Sequence, residues 1–189
     1  MQTFFSTTVL TFALACMVLV LPASAAEQRS QLLGNGNGDR NYNLDCGNGG
    51  VMVGLAGKWG ARIDRMGVLC RAVNNEGKLG GFYTKGPVGG TGGKTSGTRR
   101  CTSGEVVGGF FVHTGAFVDH LRVYCYKWDI IKKQRGRPTG HKSIGISYSA
   151  TGGTGRFFCQ GSGFVGKAFR GKFGGYIDRV QVVCDKWNK

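Results

Sequence analysis

Residues 101–125, CTSGEVVGGFFVHTGAFVDHLRVYC, hold an apolar run, a short break from Gly115 to Asp119, and a second run that ends on a cysteine. In the returning run Leu121 and Val123 share one face while Arg122 and Tyr124 share the other. That period of two belongs to a strand whose faces meet different surroundings. The outgoing run, Glu105 to Val112, is richer in apolar and aromatic residues. Two such runs around a tight break make a hairpin, with Asp119 lifted to its tip.

The same pattern occurs twice more, as CGNGGVMVGLAGKWGARIDRMGVLC from Cys46 to Cys70 and CQGSGFVGKAFRGKFGGYIDRVQVVC from Cys159 to Cys184. Each copy carries Gly-x-x-(Ile/Val)-Asp, and six positions separate Asp64 from Cys70, Asp119 from Cys125 and Asp178 from Cys184. A repeat in register at three places is a structural unit, not a coincidence. A glycine loop lies about 25 to 30 residues ahead of each aspartate: Gly34–Gly38, Gly89–Gly93 and Gly152–Gly155. The full period is about 55 to 60 residues, which sets repeats at about 34–88, 89–150 and 151–189. No stretch shows a helical period or a capping box, so the fold class is all-β.

Residues 1–25 read as a secretory leader, with an apolar run from Val9 to Leu21 and the small-x-small pattern Ala23-Ser24-Ala25. The run is short for a membrane span and no second apolar segment follows, so no transmembrane anchor is expected. Cys16 leaves with the leader, and 26–33 is an N-terminal linker before a three-repeat domain over 34–189. Six cysteines remain, and an even number behind a leader points to disulfides formed in an oxidising compartment. Their gaps of 24, 24 and 25 residues favour pairing within repeats: Cys46–Cys70, Cys101–Cys125 and Cys159–Cys184. Each bridge is placed at the open end of its own hairpin. Closing such a loop contributes about 3 to 4 kcal/mol in the chain-entropy description.

Lys and Arg outnumber Asp and Glu by 25 to 10, giving a net charge of +15 outside the leader. A field of that sign draws polyanions and anionic surfaces. The densest basic segment, 127–142, reads as a solvated linker between the second and third copies. Trp128 and Trp187, each three residues past a repeat's last cysteine, are expected to pack on a sheet end, while Trp59 sits beside the first tip. His113, His120 and His141 lack ligand spacing and the cysteines are committed to bridges, so neither a metal nor another cofactor is expected. No nucleophile–base set occurs, and each tip offers one carboxylate where a glycosidase needs two, so the chain does not read as an enzyme. No Walker lysine follows the glycine loops, and no specific nucleic-acid partner is expected.

The thrice-repeated GG-x-G loop, strand and Gly-x-x-x-Asp resembles the jacalin-related lectins, above all their members with three near-equal units. The segment Gly104 to Leu121 is especially similar. The resemblance implies a β-prism of three Greek-key repeats with pseudo-threefold symmetry and one disulfide per repeat. It also implies that Asp64, Asp119 and Asp178 accept hydrogen bonds from neighbouring hydroxyls of a hexose. Backbone N–H groups at Gly60, Gly115 and Gly174, and at Gly38, Gly92 and Gly155 of the glycine loops, would donate to the sugar. The position two before each aspartate, which packs on the sugar in the family, holds Arg62, Phe117 and Tyr176, so only the third copy keeps the family's tyrosine. An ionised acceptor gives strong bonds to hydroxyls, and glycine lets backbone approach closely, so the chemistry is coherent by itself. Arg65, His120 and Arg179, which follow the aspartates, are expected to bias the sites toward sugars bearing carboxylate, sulfate or phosphate. The expected function is a secreted, extracellular lectin for hexose units of glycans, acidic ones included, with oligomerisation left open. The alternative is a basic defence or matrix protein that binds polyanions or membranes by charge. Salt and a competing monosaccharide separate the two.

Overall fold

A computed structural model describes residues 27–146 and 152–187. The expected leader and its Cys16 lie outside the described residues, as do residues 147–151 just ahead of the third glycine loop. Among the described residues twelve strands form three four-stranded antiparallel sheets, all three built on the same plan. Sheet I contains β3 (Gly50–Trp59), β4 (Ile63–Val73), β5 (Leu79–Gly89) and β6 (Thr95–Arg100) in the order β5-β4-β3-β6. Sheet II contains β7 (Glu105–Thr114), β8 (Val118–Asp129), β9 (Gln134–Gly145) and β10 (Gly153–Phe158) in the order β10-β7-β8-β9. Sheet III places β11 (Phe164–Phe173) and β12 (Ile177–Lys186) between β1 (Gln28–Arg29) and β2 (Arg40–Asp45). The third sheet is thus closed by the chain's first two strands, and among the described residues no helix is long and apolar enough to cross a membrane.

Alternation dictates which face of each hairpin is buried. Val180, Val182 and Cys184 of β12 point into the common core with Leu121, Val123 and Cys125 of β8 and Met66, Val68 and Cys70 of β4. The aromatic centre is Phe110 against Phe169, edge to face at 5.2 Å. The central strands β3, β7 and β11 pack against one another pairwise and alike, which makes the three sheets the faces of a prism around one axis. Trp128 and Trp187 meet at 6.0 Å beside a smaller cluster, and the Trp128 indole N–H donates to the Gly77 carbonyl at 2.6 Å.

The three disulfides join the expected pairs, but each joins two different sheets. The cause is a β-bulge at one place in every hairpin, between Met52 and Gly54, Val107 and Gly109, and Gly166 and Ala168. A bulge leaves an extra residue unpaired in the ladder. The carbonyls of those extra residues, Val53, Gly108 and Lys167, accept the N–H of Cys101, Cys159 and Cys46 at 2.8, 3.1 and 3.1 Å. Each first cysteine is therefore held just past an outer strand (β6, β10 or β2), from where its sulfur reaches β8, β12 or β4 of the next sheet. The bridges form a cycle, I to II, II to III and III to I, with Cα separations of 5.6, 5.5 and 5.6 Å. The hairpin-end placement read from sequence is corrected accordingly. The basic segment 127–142 is no linker either: it is the end of β8, a turn and most of β9, an edge strand of sheet II.

Candidate functional site

Each hairpin closes through a three-residue tip after the pairs Trp59–Ile63, Thr114–Val118 and Phe173–Ile177. In every tip the glycine N–H donates to the carbonyl two residues on, Gly60 to Arg62, Gly115 to Phe117 and Gly174 to Tyr176, at 2.9, 3.0 and 3.1 Å. Ile63, Val118 and Ile177 then anchor the returning strand in the core, and the next residue is the aspartate. Strand alternation turns Asp64, Asp119 and Asp178 away from that core, yet they are only 6, 5 and 4 % exposed.

Glycine loops produce this shielding without closing the carboxylates off. Gly34, Gly89 and Gly145 have φ of 100°, 112° and 87°, and a Cβ on any of them would overlap the carbonyl oxygen of Asp178, Asp64 or Asp119. Further along, a Cβ would stand 2.7 Å from Oδ2 of Asp178 at Gly38 and 3.0 Å from Oδ2 of Asp64 at Gly93. At Gly36 and Gly92 it would overlap Oδ1 of the same two carboxylates. Any side chain at these points would displace the acid or cover it. The Gly90 and Ile146 N–H groups donate to the Asp64 and Asp119 carbonyls at 2.8 and 3.2 Å and hold the loops in place.

The loops pair with the aspartates in a different order from the chain. Gly38 lies against Asp178 and Gly92 against Asp64, so each of these loops serves the hairpin that its following strand flanks, not the next aspartate in sequence. The third segment begins at Gly145 and returns at Gly152, which packs on Thr114 and Gly115 beside Asp119. Gly155, a sequence candidate, sits in β10 against Leu33 and lines no tip. Gly34, Gly89 and Gly152 belong to the loops read from sequence without being singled out there, and Gly145 lies outside every loop so read. Counting forward from the aspartates finds Gly145, because it follows Asp119 by 26 positions much as Gly89 follows Asp64 by 25.

The three bases after the aspartates do not face a ligand as a set. Arg65 Nε donates to the Gly90 carbonyl at 2.8 Å and Arg179 Nε to the Gly36 carbonyl at 3.0 Å, so both latch a glycine loop. His120 is fully buried. That burial, helped by the nearby Arg122, His113 and His141, pushes its pKa down to about 4 and leaves it uncharged at neutral pH. The carboxylates themselves are largely uncommitted. Asp178 Oδ2 accepts the Gly174 N–H at 2.7 Å, whereas among the described residues Asp64 and Asp119 accept no hydrogen bond. His113 Nδ1 stands 4.0 Å from Asp119 Oδ2.

Arg62, Phe117 and Tyr176, expected one per site, instead converge on the axis. The Arg62 guanidinium lies 4.3 Å from the Phe117 ring centre and 5.1 Å from that of Tyr176, and the two rings are 5.0 Å apart. Tyr176 from the third hairpin thereby walls the first site. One depression there, of about 650 Å³, is lined by Trp59, Gly60, Arg62, Asp64, Lys94 and Tyr176. A second, of about 470 Å³, lies between Asp64, the Gly89–Gly92 loop, Arg40 and Gly174–Tyr176. Gly90 touches the Gly175 backbone with no room for a Cβ, so adjoining sites share a wall. Among the described residues the one close grouping of metal-ligating types is Cys101, Glu105 and Cys125, and its two sulfurs are bonded to each other.

No family model matches the chain, and no curated protein matches it in sequence. Solved structures do match in fold. A mannose-binding jacalin-related lectin from Ananas comosus superposes with a TM-score of 0.57 at 20 % identity, over 85 % of this chain and 99 % of that one. Malaysian banana lectin gives 0.56 at 17 % identity, over 85 % and 99 %. A mannose-specific jacalin-related lectin from Morus nigra, solved with mannose, gives 0.52 at 13 % identity, over 87 % and 98 %. The architecture is the β-prism of the jacalin-related lectins.

Proposed function

We propose that this chain is a secreted lectin that binds hexose units of glycans at its hairpin tips. One observation carries the reading: three equivalent tips each present a shielded carboxylate with acceptors left uncommitted among the described residues, and at Asp64 and Asp178 glycine backbone that tolerates no side chain stands directly against it. Such a frame suits a guest with many hydroxyls and little bulk at its edge, since the acid accepts and bare amides donate. Mannose, named for the pineapple and mulberry proteins, is the first sugar to test. The tips favour binding over catalysis, because each supplies a single carboxylate. Sites that share walls around one axis gain on branched or repeating glycans through effective concentration.

Acidic sugars fit best at the first site, where Arg62 and Lys94 border the depression that holds Asp64. This moves the expected source of charge from Arg65, His120 and Arg179 to side chains that are not latched to a loop. The charge-driven alternative rests on the net charge of +15. Calorimetric titration of mannose and of glycan fragments, in ~0.5 M salt with a chelator present, separates the two readings because screening is nearly complete there. Binding that persists and falls about tenfold or more in Asp178→Asn supports the lectin, since a charge-assisted bond becomes a neutral one. Sugar binding unchanged in Asp64→Asn, Asp119→Asn and Asp178→Asn alike would refute it.

A further inference from the structure

The outer face of sheet II carries a feature that the tips do not use. Because Leu121, Val123 and Cys125 of β8 and Phe110 and Val112 of β7 point to the core, Arg122, Tyr124 and Phe111 point outward. Pairing across the sheet sets them in two rows. Arg156 of β10 opposes Phe111 of β7, which opposes Arg122 of β8, and both guanidinium carbons lie 5.5 Å from the Phe111 ring centre. In the neighbouring row, Phe158 of β10 opposes Gly109, Gly109 opposes Tyr124, and Tyr124 opposes His141 of β9.

Gly109 makes the second row continuous. A Cβ there would stand 2.7 Å from Cε1 of Phe158 and closer still to Cδ1, so the bare backbone lets that ring lie over the strand. The Phe158 ring thus reaches within 5.2 Å of Tyr124, which is 6.1 Å from His141. Phe158 remains 37 % exposed.

Charge separates this face from the outer face of sheet III, and its row of three rings separates it from that of sheet I, where Arg71 and Arg100 flank the lone Phe82. On sheet III the outward Arg170 is neutralised by both oxygens of Glu27, at 2.8 and 3.0 Å. Among the described residues Arg122 and Arg156 have neither an acid partner nor a hydrogen-bond acceptor, and Arg122 Nε is shielded from water without one. The edge strand β9 belongs to the most basic segment of the chain.

We infer that this face is a second ligand surface, separate from the tips, for an anionic polysaccharide. Its sugar rings would lie on Phe158, Tyr124 and Phe111 while carboxylate or sulfate groups meet Arg122 and Arg156. Guanidinium forks match both kinds of oxyanion in two-point geometry, and flat rings held against a sheet suit the apolar faces of a sugar chain. The assignment stands whether or not the tips bind hexose.

The test uses the disulfide-bonded mature chain with dextran sulfate, polygalacturonate, neutral dextran and a single-stranded oligothymidylate, in ~0.1 M salt where exposed charges are already partly screened. The double variant Arg122→Gln/Arg156→Gln should weaken both acidic polysaccharides about tenfold. Phe158→Ser, which leaves the charge intact, should weaken them about fivefold. Lys78→Gln/Lys132→Gln, which removes as much charge at exposed turns, should cost less than about twofold. Neutral dextran should not bind, and neither saturating mannose nor Asp178→Asn should affect the acidic chains. Equal losses in the two double variants, or no loss in Phe158→Ser, would overturn the surface in favour of a diffuse field. Displacement by mannose would relocate the chain to the tips, and tighter binding of the oligonucleotide than of either polysaccharide would overturn the ligand class.

Discussion

Lowering the pH from 7.5 to 5 should destabilise this protein through a single side chain, His120. It faces His113 across the β7–β8 ladder, with Phe111 edge-on at 6.0 Å, and among the described residues neither of its ring nitrogens has a hydrogen-bond partner. Burial, with help from Arg122, His113 and His141, lowers its pKa from 6.5 to about 4 in the folded chain. Between those values the unfolded chain holds a proton that the folded chain does not, so stability must fall as pH falls. The loss begins near pH 6.5, reaches about 2 kcal/mol by pH 5, and levels off at about 3 kcal/mol below pH 4. Urea unfolding with the disulfides intact reads this directly: the midpoint should drop by about 1 M between pH 7.5 and 5 for a slope near 2 kcal/mol/M. His120→Leu removes the titrating group and should flatten the curve over that interval. The same pH dependence in wild type and His120→Leu would show that His120 is not the group responsible. Ion pairing of Glu27 does not confuse the window. Its burial would raise its pKa, but the Arg170 and Arg29 hydrogen bonds and charges outweigh that and hold it below the ordinary value of 4.5. Its contribution is therefore present above pH 4.5 and lost only at lower pH.

Two further outcomes test the geometry. Gly92→Ala, whose Cβ would overlap Oδ1 of Asp64, should cost about 1 to 3 kcal/mol in urea unfolding, whereas Gly60→Ala, with nothing within 4 Å of its Cβ, should leave stability unchanged and still obstruct sugar at Asp64. Equal stability of the two variants would contradict the framing of the carboxylate. Cys101→Ser/Cys125→Ser should cost about 2 to 5 kcal/mol. Hydrogen exchange should quicken in both sheet I and sheet II, because the bridge spans them; quickening in the β7–β8 hairpin alone would count against the inter-sheet cycle.

The reading of the β3–β4, β7–β8 and β11–β12 hairpins rests on local signals, and those carried through. Alternation put Leu121 and Val123 on one face, which is the buried one, and the repeated six-residue interval placed Asp64, Asp119 and Asp178 at matching points. Edge strands were harder to read. The segment 127–142 looked like a linker because an outer strand with exposed cations lacks an apolar face, and β9 is recognised only once it pairs with β8. Gly155 failed for a related reason: glycine marks both a site loop and a close approach to Leu33, and composition does not separate them.

The all-β class, the three-unit plan, the cysteine partners and the tip carboxylates are properties of residues close together along the chain. Short-range periodicity and spacing specify them without reference to distant partners. Three other features depend on which sheets meet: the grouping of each glycine loop with the hairpin its strand flanks, the cycle of inter-sheet bridges, and the gathering of Arg62, Phe117 and Tyr176 on one axis. The prism closes only when β1 and β2, from the start of the chain, flank the last hairpin. That long-range pairing shifts every loop by one unit relative to the order in which it is written.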